Sequence, residues 1–167
     1  MKYIYVLIFI IVFIFFGLEI GYANKSSYVN HVLYMFQHSG IVHLLINSLA
    51  FVGMFRTMEK FVNKWLLSVS IIVVSFAASF ISMYDIPTVG ASAMIYTMIG
   101  MFSGMTAYCK NVKIADTKKY RLFLSVVFIS LTISFFKHNS NFVLHLLSMV
   151  SGFIISIFIA LYQNREK

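Results

Sequence analysis

Six apolar runs dominate this chain, over 3–22, 39–55, 65–83, 92–108, 121–136 and 142–162. Each is near the ~17–25 residues that a helix needs to cross bilayer hydrocarbon. With 60% hydrophobic and 11% charged residues in a length of 167, the composition lies outside the soluble globular range. The expectation is an all-α, polytopic membrane protein: one compact bundle of six transmembrane helices filling residues 1–167 as a single domain. No linker, low-complexity stretch or internal repeat divides it, and the one proline, Pro87, precedes Gly90 in a short connection.

The net charge of +8 is a matter of topology rather than a nucleic-acid patch. Lys2, then Arg56, Lys60 and Lys64, then Lys110, Lys113, Lys118, Lys119 and Arg121, then Arg165 and Lys167 fall at one set of helix ends, and only Lys25 and Lys137 at the other. Cytoplasmic loops collect Lys and Arg, so the division of 11 against 2 predicts that both termini are cytoplasmic. Segments 22–38, 84–91 and 137–141 then face outward, in a bacterial inner or plasma membrane. A cleaved secretory signal is the rival reading of the first run. That run reaches Tyr22 with only Gly17 and Glu19 interrupting it, which favours a retained span. Cys109 is the single cysteine and has no partner for an internal disulfide, so a reduced packing role is expected.

Between Ala23 and His38, polar residues mix with Tyr28, Tyr34 and Phe36, the composition of a segment lying at the headgroup level. His31, His38 and His138 are expected to be interfacial. The fourth run carries Ser92, Gly100 and Gly104, and the sixth carries Ser148, Gly152, Ser156 and Ala160, in each case at multiples of four. Small residues at that spacing let two backbones approach closely in lipid. The two helices are therefore expected to pack together, with Ser92 above one stripe and His145 above the other.

His43, Asn47, Ser92, Tyr96 and His145 are polar groups in otherwise apolar runs, where each unsatisfied group costs several kcal/mol. On the predicted topology all lie in the outer part of the membrane. A serine hydroxyl becomes nucleophilic when a base takes its proton, and histidine suits that role near neutral pH. Ser92 and His145 are the candidates. No acid falls inside a run where it could orient His145: Glu19 is near a run's end, Asp85 is in an outer loop, and Glu59, Asp116 and Glu166 are cytoplasmic. The expected arrangement is a dyad, with Tyr96, four residues from Ser92 on one helix face, packing in the orienting role. Asn47 and His43, also four apart, can donate N–H groups to an oxyanion, as can the Ser92 backbone N–H where Gly90-Ala91-Ser92 opens a helix.

In these residues the chain resembles the rhomboid intramembrane serine proteases. The stretch from His38 through Gly40 and His43-Leu44 to Asn47 is similar to that family's second-helix motif, and Glu59-Lys60 follows at a familiar distance. Gly90-Ala91-Ser92 with Tyr96 resembles the top of the family's fourth helix, and His145 with Ser148 and Gly152 its sixth. The resemblance implies Ser92 as nucleophile, His145 as general base and acid, Asn47, His43 and Ser92 as oxyanion donors, and Tyr96 and Gly90 in support. It further implies a site opening to the outer face, a lateral gate, transmembrane proteins as substrates, the lipid bilayer as solvent, and no cofactor or metal. Ala93, Leu147 and Ser148 stand where the family has glycine, and Val29-Asn30 stands near the place of its Trp-Arg pair.

Other intramembrane chemistries lack their residues. No His-Glu-x-x-His string exists, and the only aspartates, Asp85 and Asp116, fall in loops. Small transporters often show paired broken helices from internal repeats, and no repeat is visible here. The remaining alternative is a catalytically weak or inactive rhomboid-like protein that binds transmembrane helices.

Overall fold

A computed structural model of the chain describes residues 1–24, 26–82, 85, 87–108, 117–136 and 140–165. Cys109, Asp116, Glu166 and His138, and Lys25, Lys110, Lys113, Lys137 and Lys167 among the topology-setting basic residues, lie outside that set. Among the described residues there are seven α-helices: α1 (Lys2–Phe15), α2 (Asn30–Leu33), α3 (Ile41–Met58), α4 (Lys64–Ile81), α5 (Ser92–Tyr108), α6 (Thr117–Phe136) and α7 (Phe142–Arg165). The fold is all-α, as expected, and α5 begins and ends where the fourth apolar run does.

The first run departs from expectation. Its helix stops at Phe15, Phe16 turns to extended backbone, and Leu18–Ile20 form a short 3-10 turn. Gln37 is part of the physical reason: its side-chain amide donates to the carbonyl oxygens of Phe16 and Gly17, supplying partners that a continuing helix would have used. At 14 residues α1 is about 21 Å long, short of the hydrocarbon thickness. By length and composition α3, α4 and α7 can cross a membrane, while α1 and residues Arg121–Phe136 of α6 are apolar but shorter. Of the six expected spans, these three are the ones among the described residues that meet this measure.

Helix α5 is the centre of the bundle, with eleven of its 17 residues buried. Enclosed by other helices rather than lipid, it accommodates Tyr96, Thr97 and two glycines. It lies against α7 at backbone distance. A Cβ on Gly100 would overlap the Met149 carbonyl oxygen and sit 2.8 Å from its carbonyl carbon, and one on Gly152 would sit 2.9 Å from the Thr97 carbonyl carbon. On the opposite flank Tyr5 and Phe9 of α1 pack on Phe51 of α3 at 5.0 and 5.4 Å between ring centroids. The outer faces of the bundle carry Leu49, Phe128, Phe136 and Phe158 at two-thirds exposure or more, a surface suited to lipid rather than water.

The segment before α3 is folded into the helix ends. Tyr22 pairs with Thr88 in an isolated antiparallel bridge, and the Tyr34 carbonyl accepts from Gly90 N–H at 2.9 Å. The expectation that His31 and His38 are interfacial is corrected: they are 2% and 1% exposed. His31 stacks on Phe80 at 4.1 Å and shares a 2.8 Å hydrogen bond with Ser79 Oγ. His38 sits edge-on to Phe9 and His43. These rings serve as wedges between the loop and the bundle, a burial that loop composition alone does not reveal.

Candidate active site

The first turns of α3, α5 and α7 meet at one end of the bundle, because the turn ending in Gly90 is held by Tyr34 and by the Tyr22–Thr88 bridge. Gly90 has φ +128°, a conformation that L side chains rarely adopt. A Cβ there would also stand 2.9 Å from His43 Cε1 and 3.2 Å from Asn47 Nδ2. Only glycine lets the start of α5 lie this close to α3.

Asn141 fixes the start of α7. Its side-chain oxygen accepts from Leu144 N–H at 3.0 Å, a helix N-cap, and its amide donates to Tyr22 Oη, the Ser82 carbonyl and Thr88 Oγ1. One turn on, His145 Nε2 lies 2.9 Å from Ser92 Oγ, with the histidine 9% exposed and the serine half-buried. The Tyr96 ring is stacked on the imidazole at 4.5 Å between centroids and 23° between planes.

His43 and Asn47 face this pair from α3, across Gly90. The Ser39 backbone N–H donates to His43 Nδ1 at 3.4 Å, and Ser39 Oγ lies 3.0 Å from the same atom. A backbone N–H can only donate, so Nδ1 is the acceptor in the neutral ring and Nε2, the nitrogen nearer Gly90, carries the hydrogen. Asn47 Nδ2 is buried with no hydrogen-bond partner among the described residues. A buried amide left unpaired at a site is a donor held ready for an acceptor.

Two hydroxyls on α6 complete the surroundings, and sequence reasoning did not single them out. Ser134 Oγ lies 2.8 Å from His145 Nδ1 and 2.7 Å from Ser140 Oγ, and Ser130 Oγ lies 2.5 Å from Tyr96 Oη. The orienting contact to Nδ1 therefore comes from a hydroxyl rather than from Tyr96 alone. Other α6 hydroxyls bond back to their own helix, Ser125 to the Arg121 carbonyl and Thr132 to that of Phe128. Ser130 and Ser134 are four apart and so share a face. That spacing in an apolar helix was the available signal.

The fold and these contacts describe an all-α integral membrane protein with a serine–histidine pair enclosed at one end of its bundle. The family profile described as Rhomboid domain matches residues 25–162, most of the chain, and the chain belongs to the rhomboid family. No curated protein matches it. The family is of the intramembrane-protease type and acts on membrane proteins within the bilayer.

Proposed function

We propose that the chain is an intramembrane serine endopeptidase that hydrolyses peptide bonds in or near transmembrane segments of other proteins through a Ser92–His145 dyad. The observation that carries this reading is the 2.9 Å contact between Ser92 Oγ and His145 Nε2. It is supported by the unpaired Asn47 amide and the Nε2–H of His43 on the facing helix.

In this mechanism Nε2 takes the Ser92 proton as Oγ bonds to the scissile carbonyl carbon. The carbonyl oxygen becomes an oxyanion, to which Asn47, His43 and the first-turn N–H of Ser92 donate. Nε2 returns the proton to the leaving amine as the C–N bond breaks, leaving an acyl-serine. Water, deprotonated by the same nitrogen, then releases the acid and restores Ser92. Tyr96 holds the imidazole plane, and Gly90 keeps the donors within reach of the start of α5. The reading takes α1 and α3–α7 as six membrane helices, with α1 and α6 tilted little or locally thinning the bilayer. The basic-residue bias puts both termini in the cytoplasm and opens the site outward.

The test is a purified chain in liposomes with a single-pass reporter, comparing wild type with Ser92→Ala and His145→Ala. Cleavage is expected to vanish in both, and a fluorophosphonate is expected to label wild type at Ser92. Cleavage persisting in either variant refutes the dyad. A wild-type chain that binds reporter helices without cutting them supports the inactive-relative reading instead.

A further inference from the structure

The residue opposite Ser92 on the imidazole is the hydroxyl of Ser134, buried at 5% exposure and 2.8 Å from His145 Nδ1. Resting on the protease reading above, we infer that Ser134 is a positioning residue for the dyad: a neutral hydroxyl from α6 doing for His145 what a carboxylate does in a triad.

A histidine base needs its hydrogen on Nδ1 so that Nε2 is open to Ser92. Ser134 Oγ can accept that Nδ1–H because its own hydrogen has somewhere to go, Ser140 Oγ at 2.7 Å. All hydrogens in the chain then run one way, Ser92 to Nε2, Nδ1 to Ser134, Ser134 to Ser140. When the Ser92 proton moves onto Nε2 the ring is an imidazolium with two N–H donors, and both still have acceptors: the substrate-bound Ser92 oxygen on one side and Ser134 on the other. No atom other than that one proton changes owner. With the hydroxyl rotors reversed, Nδ1 would accept from Ser134 and Nε2 would donate to Ser92, so the ring could not take the proton. Ser134 thus stabilises the charged ring while leaving substrate binding alone. A carboxylate would stabilise it more, but would itself be a buried charge in the membrane.

The contact also comes from a helix whose outer face is open. Ser134 and Ser130 tie α6 to His145 and to Tyr96 on one face, while Phe128, Ile133 and Phe136 of the same helix are open to the surroundings. The orientation of the base is therefore set by where α6 lies.

The experiment uses the full chain in liposomes, with reporter cleavage read as separate kcat and KM and with the rate of Ser92 labelling by a fluorophosphonate. Ser134→Ala is expected to lower kcat and the labelling rate together by about tenfold, the scale of one hydrogen bond, with KM within about twofold. Ser134→Thr, which keeps the hydroxyl, is expected to recover most of both. Ser125→Ala, on the exposed side of α6, is expected to match wild type. Unchanged kcat and labelling in Ser134→Ala, a loss confined to KM, or equal loss in the threonine variant would each overturn the assignment. A wild-type chain inert towards both reporter and probe overturns the protease reading itself, and this inference with it.

Discussion

Gly100→Ala tests whether the site depends on the backbone contact between α5 and α7. The added methyl carbon would lie 2.8 Å from the Met149 carbonyl carbon and 2.9 Å from Phe153 N, besides overlapping the Met149 carbonyl oxygen. Ordinary carbon–carbon contact needs ~3.5–4.0 Å, so α7 must retreat by at least about 1 Å, and further to clear the carbonyl oxygen. Its neighbours there are backbone atoms, which have no rotamer to escape into. Overpacking of this kind costs about 1–3 kcal/mol of stability, and helix pairs in lipid have little besides packing to offset it. The more telling effect is at a distance. Met149 is one turn below His145, and a rigid retreat of α7 stretches the 2.9 Å Ser92–His145 contact past hydrogen-bonding range. A misplacement of ~1 Å at reacting groups costs on the order of 10²-fold in rate. Thermal unfolding in detergent micelles measures the first effect, and fluorophosphonate labelling of Ser92, at temperatures where the variant is still folded, measures the second. A variant with wild-type melting and wild-type labelling would refute the coupling of backbone approach to site geometry. Loss of labelling without loss of folding is the expected result.

Two further expectations follow from single residues. Asn47→Ala should lower kcat by about 10²–10³-fold with little change in KM, the size of one oxyanion donor; steady-state cleavage giving a kcat within about threefold of wild type removes Asn47 from that role. His38 gives a pH dependence. Burial, and after it the neighbouring His43, push its imidazole down to about 4, with the Phe36 carbonyl opposing. In the unfolded chain the ring titrates near ~6.5, so between that pH and 4 the unfolded state holds a proton that the folded state does not. Stability is then full above the unfolded value and falls as pH falls through the window, by up to ~3 kcal/mol. Melts of wild type and His38→Phe from neutral pH down to the folded value should diverge, the variant being the flatter, and parallel curves would exclude His38 as the source.

The helices were largely legible because lipid imposes a simple rule on sequence: a run of apolar residues of sufficient length must satisfy its backbone internally. Helix α5 could be read to the residue, and α3, α4 and α7 to within three at either end. The same rule misled at α1, since apolarity continues to Tyr22 while the helix ends at Phe15. Gly17, whose N–H donates to Glu19 Oε1, is the local part of the stop. The Gln37 side chain that holds the Phe16 and Gly17 carbonyls comes from twenty residues away, where no local pattern shows it. The small-residue stripes pointed to the α5–α7 pair because close approach requires a small or absent side chain at the contact. The buried histidines of the 23–38 segment were read from composition as interfacial, because a polar and aromatic loop has the same composition whether it lies on the bundle or within it.

The sequence by itself determined the class of protein and the family, and it made conspicuous the polar side chains that stand alone in apolar runs. Ser92, His145, His43 and Asn47 stand out in their runs for that reason. Only the tertiary structure decided which atoms of those residues face one another. It put Nε2 on Ser92, Ser39 against Nδ1 of His43, and Ser134 behind His145. A serine in a membrane helix can satisfy itself on its own backbone four residues back, as Ser125 does, and its sequence is then the same as that of one reaching across to a neighbouring helix.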